Sequence, residues 1–95
     1  MEHLFIISYD IAAPKRWRRV FRIMKGYGEW LQLSVFQCRL TRMRMLQLET
    51  ELRDVMNQRE DHVLIVDVGP AEGVKPRVQS LGKAFETARR EAVIV

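Results

Sequence analysis

The sequence predicts an α+β fold in which the elements follow the order βαββαβ. The chain has 95 residues, which is enough for one hydrophobic core and too few for two. Short apolar segments typical of strands alternate along it with two longer amphipathic segments typical of helices. Each helical segment has one apolar stripe, so both helices are expected on one face of an antiparallel sheet. This plan is the ferredoxin-like fold.

The first strand is predicted at residues 3–10, "HLFIISYD". It is rich in β-branched and aromatic residues, is apolar on both faces and is too short for a buried helix. Alternation divides the strand into two faces, Leu4, Ile6, Ser8 and Asp10 on one and Phe5, Ile7 and Tyr9 on the other.

A loop and a helix follow in "IAAPKRWRRVFRIMKGYG". Pro14 suits the first helical turn, and Gly26 and Gly28 are stop signals. Helical spacing puts four apolar residues on one side, Trp17, Val20, Phe21 and Met24. Arginine and lysine occupy the other side, so the helix is predicted to be amphipathic with a basic outer surface.

The remaining elements are read from similar patterns. A second strand is predicted at 31–40, with Leu31, Leu33 and Val35 on one face and Ser34, Phe36 and Cys38 on the other. A second helix is predicted at 41–58, with Thr41 as its N-cap and a buried stripe of Met45, Leu48, Leu52, Val55 and Met56. A third strand is predicted at 61–69 and a short fourth strand at 77–82.

These segments form one domain, with a core at 1–82 and an extension at 83–95 that ends in a strand, "AVIV". The first and third strands are apolar on both sides, yet an antiparallel sheet with one wet face should alternate. A second copy of the sheet, related by a two-fold axis, would cover the second face. We therefore expect a homodimer through the sheet faces, in which "AVIV" pairs with the other protomer.

Charge is distributed unevenly along the chain, whose net charge is +4. Between Lys15 and Arg44 there are nine Lys and Arg against one acid, Glu29, so this segment carries +8 and the rest −4. Such segregation predicts a polyanionic partner. A solvated basic helix face without a ligand is the alternative, and a membrane surface is disfavoured because no wide apolar stripe is left to insert.

The cellular location is predicted to be cytoplasmic. Cys38 is the single cysteine, so an internal disulfide and a cysteine-based metal cluster are excluded. No apolar run approaches the roughly 20 residues of a membrane span. Glu2 and His3 stand where a signal peptide would be basic.

Asp10 is unusual because it ends an apolar strand directly before the basic helix. In a two-fold dimer it would have a twin, and two close carboxylates favour a shared proton or a divalent cation such as Mg²⁺. A turn-forming role is the alternative. Asp67 is expected to bond to a neighbouring loop or basic residue, and His3 and His62 show no ligand spacing and are read as surface or half-buried residues.

Two motifs together suggest a family. "SYDI" before a Pro-Lys-Arg helix start, together with "SVFQC" in "LQLSVFQCRL", resembles the CRISPR-associated Cas2 family over essentially the whole chain. The resemblance implies a homodimer that binds the CRISPR adaptation integrase for spacer acquisition. It also implies binding to duplex DNA or single-stranded RNA, with Mg²⁺-dependent endonuclease activity in some members.

The resemblance also implies site residues. Asp10 corresponds to the metal-binding and catalytic aspartate, with Tyr9 and Phe36 as possible neighbours. The nucleic-acid-binding candidates are basic residues after the first strand, Lys15, Arg16, Arg18, Arg19 and Arg22. In many relatives another polar or acidic residue stands just before the proline, where this chain has Ala12 and Ala13. The resemblance therefore does not extend to a polar side chain of this loop that would support Asp10.

Three other functions compete with the metal-dependent nuclease. A scaffold would need the basic surface and the integrase but no chemistry. An RNA-binding module of the same fold would stack bases on aromatic residues of its central strands, and "HVLIVDVG" has none. A small-ligand regulatory dimer would need a glycine-rich phosphate loop or polar pocket, for which the sequence gives no sign.

Overall fold

A computed structural model of the chain describes residues 1–82. Four strands and two helices alternate in the order βαββαβ. The strands are β1 (Glu2–Asp10), β2 (Glu29–Gln32), β3 (Val35–Thr41) and β4 (His62–Pro70). The helices are α1 (Pro14–Lys25) and α2 (Arg42–Val55). The predicted fold class, ferredoxin-like βαββαβ, is confirmed, although the segments assigned from the sequence, with one strand at 31–40 and two strands after the second helix, give the order βαβαββ.

The strands form one antiparallel sheet in the order β2-β3-β1-β4, so β1 is central and β4 lies at an edge. Both helices pack on the same face. There the inward residues of β1 and β3 meet the apolar stripes of the helices in one hydrophobic core. The members contributed by these two strands are Phe5, Ile7, Tyr9, Phe36, Cys38 and Leu40.

The helices follow the predicted stripes. Val20, Phe21 and Met24 are buried on α1, and Met45, Leu48 and Leu52 are buried on α2. Thr41 caps α2 as predicted, because its hydroxyl oxygen accepts a hydrogen bond from the backbone N–H of Arg44 at 3.2 Å.

Phe21 is the centre of an aromatic cluster between α1 and the sheet. Its ring stacks on Trp17 at 5.3 Å between centroids and meets the rings of Trp30 and Phe36 at steep angles. Such offset and edge-to-face contacts are the favoured geometries of aromatic pairs. The cluster fixes α1 against β2 and β3, and thereby fixes the loop that joins β1 to α1.

The segment predicted as one strand at 31–40 is part of a hairpin, and this prediction was wrong. The chain turns at Leu33, whose φ is +38°, so β2 ends at Gln32 and β3 begins at Val35. The indole N–H of Trp30 donates a hydrogen bond to the carbonyl of Leu33 at 2.9 Å and so ties the turn to β2. An exposed Leu in a left-handed conformation gives no turn signal in the sequence.

The fourth strand predicted at 77–82 is also wrong, because these residues form neither a strand nor a helix. Val78 and Leu81 are exposed, so the segment buries no apolar face that would hold it against the sheet. The hairpin at 29–41 supplies the fourth strand instead. The strand predicted at "AVIV" lies outside the described residues.

The face of the sheet opposite the helices, which we call the open face, carries an apolar patch along β1 and β4. Ile6 and Ser8 of β1 pair with Val66 and Leu64 of β4, and paired residues point to the same side. Leu64, Val66 and Val68 are about half exposed, at 52, 46 and 54%. As the sequence indicated, β1 and β4 therefore have apolar side chains on both of their faces.

One end of the open face is covered by the chain itself. Leu4 of β1 is 2% exposed, and Arg39 lies beside it on β3. The guanidinium of Arg39 donates hydrogen bonds to the carbonyls of Ala71 and Val74. The segment after β4 is thereby held across this end. Among residues 1–82, no helix has the length and hydrophobicity needed to cross a membrane.

Replacing Gly28 by Ala should destabilise the fold by about 1–3 kcal/mol. An added Cβ would lie 2.3 Å from the Cys38 sulfur and 2.6 Å from the Gln37 carbonyl oxygen, and backbone cannot easily yield. Gly26→Ala is the matched control, since a Cβ added there would lie 3.3 Å from its nearest neighbour, the Ile23 carbonyl oxygen. Urea denaturation measures the free energy of unfolding of both variants. Equal values would contradict the close approach of Gly28 to β3.

Candidate functional site

The site is organised around Asp10, the last residue of β1. Its side chain is exposed and lies on the open face, two residues after Ser8. On the neighbouring strand its register partner is His62, the first residue of β4. Neither side chain forms a hydrogen bond or ion pair with any other part of the chain within residues 1–82. A carboxylate is thus presented at the end of the sheet with all its ligand positions available.

The loop after Asp10 is fixed by a buried carboxylate, Asp61. One oxygen of Asp61 accepts a hydrogen bond from the backbone N–H of Ala12 at 2.9 Å. The other accepts one from the backbone N–H of Asn57 at 2.8 Å. The Arg16 guanidinium donates to both oxygens, at 2.8 and 3.1 Å. Asp61 therefore joins the β1–α1 loop, the first turn of α1 and the α2–β4 loop, and we call this arrangement the Asp61 clamp.

Electrostatics favour the ionised form of Asp61. The hydrogen bonds from Arg16 hold its pKa far below the ordinary carboxyl value, and the backbone N–H groups of Asn57 and Ala12 act in the same direction. Burial alone would raise the pKa, and these donors outweigh it. Sequence reasoning missed this residue, because "DH" at 61–62 reads as the start of a strand.

The basic residues predicted to bind nucleic acid divide into two groups. Arg16 is engaged in the Asp61 clamp and also donates to Glu60 at 3.0 Å. The other four have exposed side chains on α1, Lys15, Arg18, Arg19 and Arg22. The first turn of α1 contains no acidic residue. An exposed positive surface therefore begins directly after the Asp10 loop, and its contact with nucleic acid stays a prediction.

Tyr9 and Phe36, the possible neighbours of Asp10, point into the core. Phe36 is fully buried, Tyr9 is 4% exposed, and their rings stack at 6.3 Å between centroids. Burial raises the pKa of the Tyr9 hydroxyl, so it stays protonated near neutral pH. Both residues lie on the helix side of the sheet, opposite the face that carries Asp10, and they support the site by packing.

Asp67 makes the local bonds that the sequence analysis expected. Its carboxylate lies 2.9 Å from Nδ1 of His3 and accepts a hydrogen bond from the Gly69 backbone N–H at 2.9 Å. The His3 contact lowers the pKa of Asp67. One of the two histidines is thus paired far from Asp10, at the other end of β1.

The donor set around Asp10 suits a hydrated divalent cation. Mg²⁺ commonly binds through one or two carboxylates and keeps several waters, so an exposed terminal carboxylate meets its requirement. Within residues 1–82 no three His, Cys, Asp or Glu side chains converge on one point. A closed cage is therefore absent from the described part of one chain, and an open site held by few protein ligands is what the residues fit.

Comparison with known proteins identifies the family. The profile described as "CRISPR associated protein Cas2" matches residues 3–73. The chain belongs to the Cas2 family. It is 59% identical over 95 residues to a Geobacter sulfurreducens protein named CRISPR-associated endoribonuclease Cas2, with all of both chains covered. It is 55% identical over 94 residues to a Cas2 endoribonuclease of Rhodospirillum rubrum, covering 99% of this chain and 92% of the relative.

Solved structures share the fold of this chain. A crystal structure of a hypothetical protein from Thermus thermophilus matches with a TM-score of 0.75 and 28% identity, covering 90% of this chain and all of the other. A crystal structure described as Cas2 matches with a TM-score of 0.72 and 28% identity, over 88% of this chain and 93% of the other. The family resemblance seen in "SYDI" and "SVFQC" is confirmed.

Replacing Asp61 by Asn should destabilise the protein by about 2–3 kcal/mol at neutral pH, because the partly buried Arg16 loses its buried charged partner and keeps only the exposed Glu60. The low pKa of Asp61 also fixes the pH dependence. Stability from the clamp is present above the ordinary carboxyl pKa, 3.8, and is lost as the pH falls below it toward the depressed value.

The test is urea denaturation of the wild type and Asp61→Asn as the pH is lowered from neutral into the acid range. The variant should lose less stability than the wild type over the acid part of that range. The exposed Asp54→Asn is the matched control and should behave like the wild type. Parallel pH profiles for wild type and Asp61→Asn would contradict the clamp.

Proposed function

We propose that this Cas2-family chain is a homodimeric, metal-dependent endonuclease that binds nucleic acid and hydrolyses phosphodiester bonds. The observation that carries the proposal is the exposed Asp10 carboxylate at the end of the open face, directly before the basic helix α1. The Geobacter and Rhodospirillum relatives are named endoribonucleases, which supports RNA as a substrate, and the family resemblance suggests that the RNA is single-stranded. Duplex DNA is the second substrate to test.

A dimer through the open faces follows from the exposed apolar surface on β4. Leu64 and Val66 would be removed from water by a second copy of the same face. Asp10 lies on that face, so two-fold symmetry carries a second Asp10 into the assembly. Two carboxylates would then be available to one cation, which is the ligand number that Mg²⁺ commonly takes from protein.

In this proposal, Asp10 binds the metal and the cations of α1 bind the nucleic-acid backbone. A bound divalent cation would supply charge stabilisation to a phosphoryl oxygen. Asp10 would hold the cation at the strand end, and the Asp61 clamp would hold the loop that follows. Arg18 and Arg19 would bind the phosphate backbone, since guanidinium groups fork onto phosphate oxygens. Lys15 and Arg22 would extend this contact along α1.

A scaffold without catalysis is a second candidate function. The exposed cations of α1 need no metal, and three converging ligands are absent from residues 1–82 of one chain. In this reading the dimer binds duplex DNA and bridges the CRISPR adaptation integrase during spacer acquisition. The family resemblance supports the integrase partner.

Asp10→Asn should reduce cleavage of single-stranded RNA and duplex DNA by at least about a hundredfold while leaving the fold intact, because the ligand charge is lost at an exposed site. Cleavage by the wild type is measured with Mg²⁺ and with EDTA. Asp54→Asn is the matched control. Cleavage that survives in both EDTA and Asp10→Asn would remove the catalytic proposal, and spacer acquisition that survives without cleavage would favour the scaffold.

Val66→Glu should convert the dimer to a monomer, because it puts a charge into the centre of the proposed contact. Light scattering after size-exclusion chromatography measures the mass of the wild type and the variant. Met43→Glu is the control, since Met43 is 67% exposed on α2 behind the sheet. A monomeric wild type, or a Val66→Glu variant that stays dimeric, would overturn the proposed interface.

A further inference from the structure

His62 is the residue paired with Asp10 in the sheet register. The two residues are partners across the β1–β4 ladder, at the end where β1 finishes and β4 begins. Partners on adjacent antiparallel strands point to the same face, with Cβ atoms about 5 Å apart. The fold therefore brings together an imidazole and a carboxylate that are 52 positions apart in the sequence.

Both side chains are available for a ligand. Asp10 and His62 are exposed, and neither is held by another residue within 1–82. The other histidine, His3, is different, because its Nδ1 lies 2.9 Å from Asp67. Ser8 and Leu64, the next pair on the open face, bring no competing charge. The Asp10–His62 pair thus combines an oxygen donor and a nitrogen donor on one surface.

This donor set has a chemical preference. Oxygen ligands suit Mg²⁺ and Mn²⁺, whereas imidazole nitrogen adds affinity for transition metals more than for Mg²⁺. Cβ atoms about 5 Å apart allow a carboxylate oxygen and an imidazole nitrogen to approach one cation at bonding distances of about 2.0–2.2 Å. The pair remains open to water and to a phosphate oxygen on its other sides.

We propose that His62 is a second protein ligand, from the same protomer, of the divalent cation held by Asp10. This inference rests on the proposed function and deepens it, because it assigns the site a mixed oxygen and nitrogen donor set. It follows that the site binds Mn²⁺ more tightly than Mg²⁺. His62 supplies the selectivity, and Asp10 supplies the charge that both cations require.

Mn²⁺ binding to the intact protein tests the assignment without measuring cleavage. The electron paramagnetic resonance signal of free Mn²⁺ is followed at mildly alkaline pH for the wild type, His62→Gln, Asp10→Asn and His3→Gln. Mg²⁺ affinity is obtained by competition against Mn²⁺. His62→Gln should weaken Mn²⁺ binding by about tenfold or more and change Mg²⁺ binding much less. His3→Gln, the matched control, should bind like the wild type.

A second measurement locates the metal. The imidazole resonances of the two histidines are assigned from the His3→Gln and His62→Gln spectra. Substoichiometric Mn²⁺ should broaden the His62 resonances and leave those of His3 sharp. Broadening should disappear in Asp10→Asn, because the cation then lacks its carboxylate.

The outcomes separate the two proposals. If Asp10→Asn abolishes Mn²⁺ binding and His62→Gln weakens Mn²⁺ and Mg²⁺ equally or not at all, the His62 assignment is overturned and the Asp10 site stands. If Asp10→Asn binds Mn²⁺ like the wild type, the metal site of the proposed function fails as well. Selective loss of Mn²⁺ affinity in His62→Gln, together with broadening of its resonances, supports the assignment.

Discussion

One-sided coverage of the sheet is the constraint on which the rest of the molecule depends. Both helices pack on a single face, where Ile7, Phe36 and Val20 are fully buried. The other face keeps apolar side chains that no described helix covers, among them Leu64 and Val66. Hydrophobic surface of this kind favours association because burial removes it from water. The same asymmetry puts Asp10 on the open side, away from the packed core.

The Asp61 clamp explains how an exposed carboxylate can be positioned well. Asp10 has no fixed partner among residues 1–82, but the backbone two residues later is anchored through the N–H of Ala12. Because Asp61 also binds Arg16 and the Asn57 backbone, the strand end, the helix start and the loop before β4 are held together. A buried carboxylate whose two oxygens both accept hydrogen bonds thereby supports an exposed carboxylate that is open to solvent.

Patterns local to one segment predicted much of this structure. The apolar stripe of α1, the Thr41 cap and the alternation along β1 each depend on spacing within a few residues, and each is present. The turn at Leu33 was not predicted, because a Leu in the left-handed conformation gives no turn signal in the sequence. Asp61 was not predicted because its partners Ala12 and Arg16 are far away in the sequence. The Asp10–His62 pair was not predicted because strand register is set by tertiary pairing and cannot be read from either strand alone.

The bonds from Arg39 to the carbonyls of Ala71 and Val74 have a consequence for symmetry. They close the sheet surface over Leu4, whereas at the opposite end of the same strand Asp10 stays in contact with water. Among residues 1–82, the uncovered part of the open face is therefore displaced along β1 toward Asp10. Within residues 1–82, a second protomer that used this surface would therefore make its contacts closer to Asp10 than to Leu4.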